Sequence, residues 1–448
     1  MTDLVIIGAG PGGFDTALFA AERGLDVVLI EKEQVGGTCL NWGCIPTKAL
    51  YHNAKHLLDL AELDTFGVEL KDHSIDYDKI RVRKEQIVAD QIDNIKTSLQ
   101  RSGVRLIRGT ATIDDATHVR VGDETIETSR IIIATGSSVR PLDFPGNDLD
   151  IVVDSRRILE LRTFPKRLVV IGGGVIGCEM ASIFRAFECE VTLVEFQSDL
   201  LPPFDADLRK RARNLYKRAG IDIHTNSELT EVKDTGDGHV AVVKTKKGDV
   251  EIPTDMVLVA TGRIPNFGGL DLKGLAIAHT KHGIAVDTNK MTSVDGIYAI
   301  GDVNGELMLA HKATYDGYKA VSHILDVDLP IRFDLVPSVV FSFPELASVG
   351  KTEDELKGNG VSYRKNKYLY KTNGKAQCMK ETDGFVKMLV DDNGVLLGCH
   401  IIGADASTLI HEVTAMMNRN ITIDDYKSVI HAHPTLSEII GECIKGFD

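Results

Sequence analysis

Two segments of the chain start alike, and this duplication constrains the fold more than any other feature. "LVIIGAGPGG" (residues 4–13) runs from an apolar stretch into Gly8, Gly10 and Gly13. "LVVIGGGVIG" (168–177) does the same with Gly172, Gly174 and Gly177. Each reads as a buried strand, a G-x-G-x-x-G turn and an alanine-containing helix. Glycine is needed where the backbone turns tightly, where it approaches a pyrophosphate, and where helix packs on strand. The helix N-terminus then offers free N–H groups and a positive dipole end to phosphate. One such turn is a weak signal, but the context repeats as well. "VVLIE" ends at Glu31 and "VTLVE" ends at Glu195, at the same interval after the first glycine of each copy. An acid there can accept hydrogen bonds from a ribose 2′-OH, whereas a single acid could equally be a solvated strand end. "IIIATGS" (131–137) is echoed by "VLVATGR" (257–263). The expectation is an α/β protein with two related dinucleotide-binding units. Two units imply electrons passed between two dinucleotides.

At the second site a 2′-phosphate would face Glu195 with like-charge repulsion. The stretch "EFQSDLLPPFDADL" offers only Asp199, Asp205 and Asp207 before Arg209, so the usual cationic clamp is missing. The second site is therefore read as taking NAD(H) and not NADP(H). The length of 448 residues suggests about three domains. A formal net charge of −14 argues against nucleic-acid or anionic-membrane binding, which both rely on Lys and Arg. No apolar run approaches a membrane span, and the first apolar segment begins at Leu4, so a cytoplasmic location is expected.

The seven cysteines are mostly scattered, unlike a secreted disulfide framework. The exception is "GGTCLNWGCIPTK" (36–48), which holds Cys39 and Cys44. "IPTKALYHNAKHLLDLAEL" then reads as a helix with Pro46 in its first turn. Cys44 would stand at or just before that helix N-terminus, where a thiolate is favoured, with Lys48 one turn on. Two buried cysteines acting as small hydrophobes remain the plainer alternative. Thiol chemistry also needs a base, and imidazole titrates in the right range. "HAHPTLSEII" (431–440) offers His433, set in extended backbone by Pro434, with Glu438 five positions later. Thr435 to Glu438 also fits a capping box, which alone would explain the acid.

Taken together, "GGTCLNWGCIPTK", the doubled fingerprint, "GIYAIGDV" (296–303), "LAHKATYDG" (309–317) and "HAHPTLSE" (431–438) resemble the flavin-dependent pyridine-nucleotide disulfide oxidoreductases. The similarity runs from residue 3 to the C-terminus. It is greatest with the branch that oxidises dihydrolipoamide on the lipoyl domains of 2-oxoacid dehydrogenase complexes. The resemblance implies two Rossmann-like domains and a C-terminal α+β dimerisation domain. FAD binding would fall to 1–142 and 269–330, NAD binding to 143–268 and dimerisation to 331–448. It implies that Gly8, Gly10, Gly13, Glu31, Thr38, Lys48, Ala111, Gly136, Asp302 and Ala310 hold FAD. It assigns NAD to Gly172, Gly174, Gly177, Glu195, Val232 and Gly262. Cys39 would be the interchange thiol and Cys44 the thiol against the flavin, paired as a redox disulfide. Lys48 and Glu179 would tune hydride transfer. His433, oriented by Glu438, would be the acid/base serving the other subunit of a homodimer. The E2 or E3-binding component of such a complex is the implied partner, and no metal, nucleic acid or membrane is expected.

Some residues depart from the family's pattern. Trp42, the only tryptophan, sits inside the redox loop and is expected to pack near the flavin. Asp15 is an acid early in the first helix, where relatives line the approach of the disulfide substrate. With Tyr315, it leaves open an NADH-dependent reductase of another small disulfide. Glutathione-type reductases fit poorly with Glu195, and mercuric reductases with a tail holding only Cys443. A redox-silent nucleotide-sensing flavoprotein would need none of Cys39, Cys44, His433 and Glu438.

Overall fold

The computed structural model describes residues 1–447. The first apolar stretch forms the strand Thr2–Ile7 at the centre of a parallel sheet, between Val27–Glu31 and Glu124–Ile133. Arg105–Arg108 and Ile297–Ala299 extend it on the two sides. Leu4, Val5, Ile6, Leu29, Ile131, Ile132 and Ile133 are all fully buried, as expected of parallel strands covered on both faces. An antiparallel hairpin, Ala111–Asp115 and His118–Val121, joins the outer half of Glu124–Ile133.

The second copy repeats the plan. Arg167–Ile171 lies between Glu190–Glu195 and Met256–Val259, with Asp222–Thr225 and Val152–Asp154 at the edges, all parallel. An antiparallel meander, Glu228–Asp234, His239–Thr245 and Gly248–Thr254, takes the place of the hairpin. The chain leaves the first unit and re-enters it through two short strands, Ser137–Val139 and Arg263–Pro265, that pair antiparallel.

The C-terminal unit is a five-stranded antiparallel sheet, with Leu396–Gly403 between Glu345–Gly350 and Phe385–Val390. The turn between the last two strands is closed by Asp391, whose Oδ1 accepts the N–H groups of Asn393 and Val395. Helices Ala406–Asn418 and Glu438–Lys445 cover the sheet, and Val386, Met388, Ile401, Ile410, Val413 and Ile440 form its dry core. Among the described residues no helix is long and apolar enough to cross a membrane.

Candidate active site

The glycine turns fold as their sequence requires. Gly8 has φ +105°, and a Cβ there would stand 2.4 Å from the Ala134 carbonyl oxygen. Gly172 has φ +106° with the same collision at Ala260. Gly13 and Gly177 pack helix on strand, since a Cβ on either would fall 1.8 Å from the carbonyl oxygen of Gly8 or Gly172. The two acids hold these loops. Glu31 accepts the N–H groups of Ala9 and Glu33, both at 2.7 Å. Glu195 accepts those of Gly173 at 2.5 Å and Gln197 at 2.6 Å.

Both loops open into one cleft of about 2650 Å3, large enough for extended dinucleotides and well beyond a drug-sized pocket. Gly8, Gly10, Glu31, Thr38, Lys48, Ala111, Gly136, Asp302 and Ala310 line it from the first unit. Gly172, Gly174, Glu195 and Gly262 line it from the second. Gly13 and Gly177 sit behind the walls. Val232 does not reach the cleft: it is buried in the meander, its N–H bonded to the Pro145 carbonyl at 2.9 Å. Ser227, Glu228 and Leu229 form the wall at that level instead, because the cleft is met by the start of that strand and not its middle.

Between the loops lies the Cys39–Cys44 disulfide, with the Cα atoms 4.7 Å apart. Cys39 belongs to the short helix Gly37–Trp42, and Cys44 is the first residue of the helix Cys44–Ala61, with Gly43 between them. The redox segment is pressed against the first nucleotide loop, since a Cβ on Gly37 would lie 2.7 Å from the Gly10 Cα. One turn on, Lys48 Nζ donates to both carboxylate oxygens of Glu179, at 3.0 and 2.9 Å. Glu179 is buried on the first helix of the second unit and also accepts the Phe341 N–H.

His433 and Glu438 pair as the sequence suggested, Nδ1 to Oε1 at 2.8 Å, across a cis His433–Pro434 peptide. Glu438 also accepts the Thr435 N–H at 2.8 Å on its other oxygen, but the helix begins at Glu438 with Ser437 as its N-cap, so the expected capping box from Thr435 does not form. The Thr435 N–H and then the imidazole hold its carboxyl below the usual carboxylate range. The His433 side chain is 80% exposed and does not line its own chain's cleft.

Arg263, Ser137 and Arg156, three polar side chains of the cleft, escape a motif reading. Arg263 donates from Nε to Ser137 Oγ and from Nη2 to the Ser137 carbonyl, both at 2.7 Å, and reaches Thr38. Ser137 passes the contact on to Asp302 Oδ2 at 2.5 Å. Burial pulls the guanidinium below its ordinary pKa against the pull of Asp302 and Asp154, and among the described residues no carboxylate bonds it directly, so it is receptive to an anion. The signal was in the repeat: Ser137 and Arg263 occupy the same place in "IIIATGS" and "VLVATGR". Arg156 stacks over Trp42 at 3.7 Å and bonds Glu33, so the tryptophan lines the cleft beneath a cation. Asp15 does not line the cleft; it is half-buried, which raises its pKa, and accepts the Thr314 hydroxyl at 2.7 Å.

Glycine cradles that a Cβ would fill, an anion-receptive guanidinium and ribose-level acids fit two dinucleotides. With a disulfide between them, they define a nucleotide-dependent disulfide oxidoreductase. Residues 2–317 match the pyridine nucleotide-disulphide oxidoreductase model, and 336–444 match that family's dimerisation domain. The chain is 35% identical to a dihydrolipoyl dehydrogenase of Bacillus subtilis (strain 168), over 98% of this chain and 97% of that one. It is 37% identical to dihydrolipoyl dehydrogenase 2, mitochondrial, of Arabidopsis thaliana, over 98% and 89%. The crystal structure of LpdA from Mycobacterium tuberculosis superposes with a TM-score of 0.93 at 28% identity, each chain covered completely. The chain belongs to the pyridine nucleotide-disulphide oxidoreductase family, and its cofactors are FAD and NAD.

Proposed function

We propose that this protein oxidises dihydrolipoamide to lipoamide and delivers the electron pair to NAD⁺. The observation that carries the reading is the Cys39–Cys44 disulfide at a helix start between two nucleotide loops, in a chain whose relatives are named dihydrolipoyl dehydrogenases. In this reading FAD occupies the first unit (1–142 and 269–330). Gly8, Gly10, Glu31, Thr38, Ala111, Gly136, Asp302 and Ala310 hold it, and Arg263 meets its phosphates. NAD occupies the second unit (143–268), held by Gly172, Gly174, Glu195 and Gly262. Residues 331–448 dimerise the chain, in the cytoplasm, and a lipoyl domain and the E2 or E3-binding component of a 2-oxoacid dehydrogenase complex are its partners.

The chain's own residues account for the thiol half of the reaction. Glu438 holds the His433 Nδ1–H, leaving Nε2 free to take a proton, so His433 of one chain serves the cleft of the other. His433 removes the proton of one substrate thiol. That sulfur attacks Cys39, the Cys39–Cys44 bond breaks, and Cys44 leaves as a thiolate stabilised by its helix N-terminus. The second substrate thiol then attacks the sulfur bound to Cys39, and Cys39 leaves with that thiol's proton, releasing lipoamide and leaving a Cys39 thiol and a Cys44 thiolate with His433 protonated. The chemistry that bound FAD supplies is two-electron acceptance from a dithiol and hydride exchange with a nicotinamide. Lys48 and Glu179 tie the redox helix to the second unit and fix the distance between the two halves.

A second reading, NADH-dependent reduction of another small disulfide, draws support from the half-buried Asp15. Purified protein with NAD⁺ and dihydrolipoamide, beside a Cys39→Ser sample, tests both. Rapid NADH formation lost in the variant supports the first reading. A flavin reducible by NADH without turnover of dihydrolipoamide would replace it with the second, and a flavin that NADH leaves oxidised would replace both with a redox-silent sensor.

A further inference from the structure

A lysine in the middle of a buried strand needs a reason. Lys387 lies within Phe385–Val390, every residue of which is buried, and is itself 1% exposed. Its ammonium is fully used. Nζ donates to Asp205 Oδ1 at 2.8 Å and Oδ2 at 3.0 Å, to Asp207 Oδ2 at 2.9 Å and to Glu353 Oε2 at 2.6 Å. Around these acids stand Lys357 and Lys365 with Tyr363 on Glu353, and Lys367 on Asp207. His400, the cross-strand neighbour of Lys387, is buried and spends both ring nitrogens on Ser348 Oγ and the Lys351 carbonyl. A buried ion cluster of this kind adds little stability over well-packed apolar side chains, but it fixes which elements meet.

What it fixes is a wall of the second nucleotide site. Asp205 caps the helix Ala206–Arg218, accepting the Asp207 N–H at 3.0 Å. Immediately before it runs the loop 196–204, whose Phe196, Gln197, Pro202, Pro203 and Phe204 line the cleft beside Glu195. The beginning of this loop is tied to Glu195 through the Gln197 N–H. Its middle is tied to the glycine turn: the Leu201 N–H bonds the Gly173 carbonyl at 2.8 Å, and Leu200 occupies the space a Cβ on Gly173 would need. Both ties come from the second unit itself. The ties at the far end, at Asp205, come from the C-terminal unit: Lys387 Nζ, 182 residues away in its sheet, and the Glu353 N–H at 3.2 Å.

We propose that Lys387 is a positioning residue for NAD(H) binding, acting through Asp205 on the loop 196–204. Among the described residues none of the hydrogen-bond partners of its ammonium, Asp205, Asp207 and Glu353, lines the cleft, so its effect falls on the order of the loop and not on chemistry. The affinity of the second site then depends on the C-terminal unit being docked against it. The inference rests on reading the second unit as the NAD site.

The test titrates NAD⁺, which cannot reduce the oxidised flavin, into the FAD-loaded protein by calorimetry and pairs it with steady-state kinetics. Lys387→Met and Asp205→Asn are expected to weaken NAD⁺ binding about tenfold, the scale of a few side chains that must be ordered on binding. The KM for NAD⁺ should rise in parallel, with kcat at saturating NAD⁺ and FAD content unchanged. Asparagine still caps a helix, so Asp205→Asn carries the test if Lys387→Met does not fold. Glu353→Gln keeps both the Glu353 N–H and Lys387 on Asp205 while removing one charge of the same cluster, and should leave NAD⁺ affinity at the wild-type value. Unchanged affinity in both Lys387→Met and Asp205→Asn overturns the inference, and so does equal weakening by Glu353→Gln, which would mark general loosening. A Glu195→Ala sample separates the two levels. If it binds NAD⁺ as the wild type does, the NAD reading of this site fails and the inference falls with it.

Discussion

Lys48 and Glu179 meet across the two nucleotide units, 131 residues apart in sequence, with Nζ within 3.0 Å of both carboxylate oxygens. Lys48 also lies 4.4 Å over the ring of Phe341, whose N–H bonds Glu179, so three units of the chain converge on this pair. Lys48 stands one turn after Cys44, and Glu179 one turn after Val175, the first residue of the helix that follows the second glycine turn. Replacing Lys48 by Met should lower NAD-linked turnover about 100-fold, the scale of a misplaced reacting pair. Stopped-flow comparison of the two half-reactions checks it, and wild-type rates in both would remove the pair from the mechanism.

Cys44 opens its helix, so its thiolate gains from the dipole and from N–H groups that have no intrahelical partner. In Cys39→Ser, which leaves Cys44 unpaired, the helix N-terminus should make the thiol more acidic than an ordinary cysteine. Thiolate absorbance at 240 nm across a pH series measures this directly. An ordinary or raised value would contradict the assignment of Cys44 as the leaving thiolate.

Because His433 stands outside its own chain's cleft, an intact site should need Cys39 from one chain and His433 from another. Cys39→Ser and His433→Ala homodimers should each be nearly inactive. Co-expressed in equal amounts, they should recover about a quarter of wild-type activity, since half the dimers are mixed and each mixed dimer keeps one complete site. No recovery on mixing would place the acid/base within one chain.

Nucleotide preference should follow Glu195. Arg213 and Arg209, the nearest cations of the following helix, are turned to Asp199 at 3.0 and 4.0 Å. A 2′-phosphate at this level of the cleft would meet the Glu195 carboxylate. Initial rates with NAD⁺ and NADP⁺ should differ by about 100-fold or more in kcat/KM, and Glu195→Ala should narrow the gap. Equal use of both nucleotides by the wild type would refute this.

The ion cluster at Lys387 should be visible in acid unfolding. Burial pushes Glu353 upward, but its contacts with Lys365, Lys387 and Lys357 outweigh burial and hold it well below the usual carboxylate range. Asp205 and Asp207 are lowered as well, against their own burial. A carboxylate with a depressed folded pKa contributes stability that is complete above its unfolded value and lost as pH falls toward the folded one. The stability gap between wild type and Glu353→Gln should therefore be flat above about pH 5 and shrink below about pH 4. Urea midpoints at several pH values check it, and a gap that widens in acid would be the wrong sign.

The glycine turns, the strand-end acids and the helix start at Cys44 were legible because each is a local matter. Gly8 needs a positive φ and clearance from its own sheet, and both needs are met within the strand–turn–helix that the residues spell out. The pairing of His433 with Glu438 was legible for the same reason of short range. Val232 was not: which part of a meander touches a cleft depends on how that sheet docks, and here Ser227 to Leu229 reach it. Lys387 reads in sequence as one polar residue in "GFVKMLV", with nothing to announce three carboxylates around it.

By itself, then, the sequence determined two nucleotide-binding turns, the acids at their strand ends and a cysteine at a helix N-terminus. These follow from backbone sterics and hydrogen bonding over a few residues. Only the tertiary structure decided that Arg263 meets Ser137, that Lys48 meets Glu179, that Lys387 pins Asp205 and that His433 faces away from its own chain's cleft. Charge pairing and burial act between whatever surfaces the packed sheets bring together, and that distance is not written in any local stretch of chain.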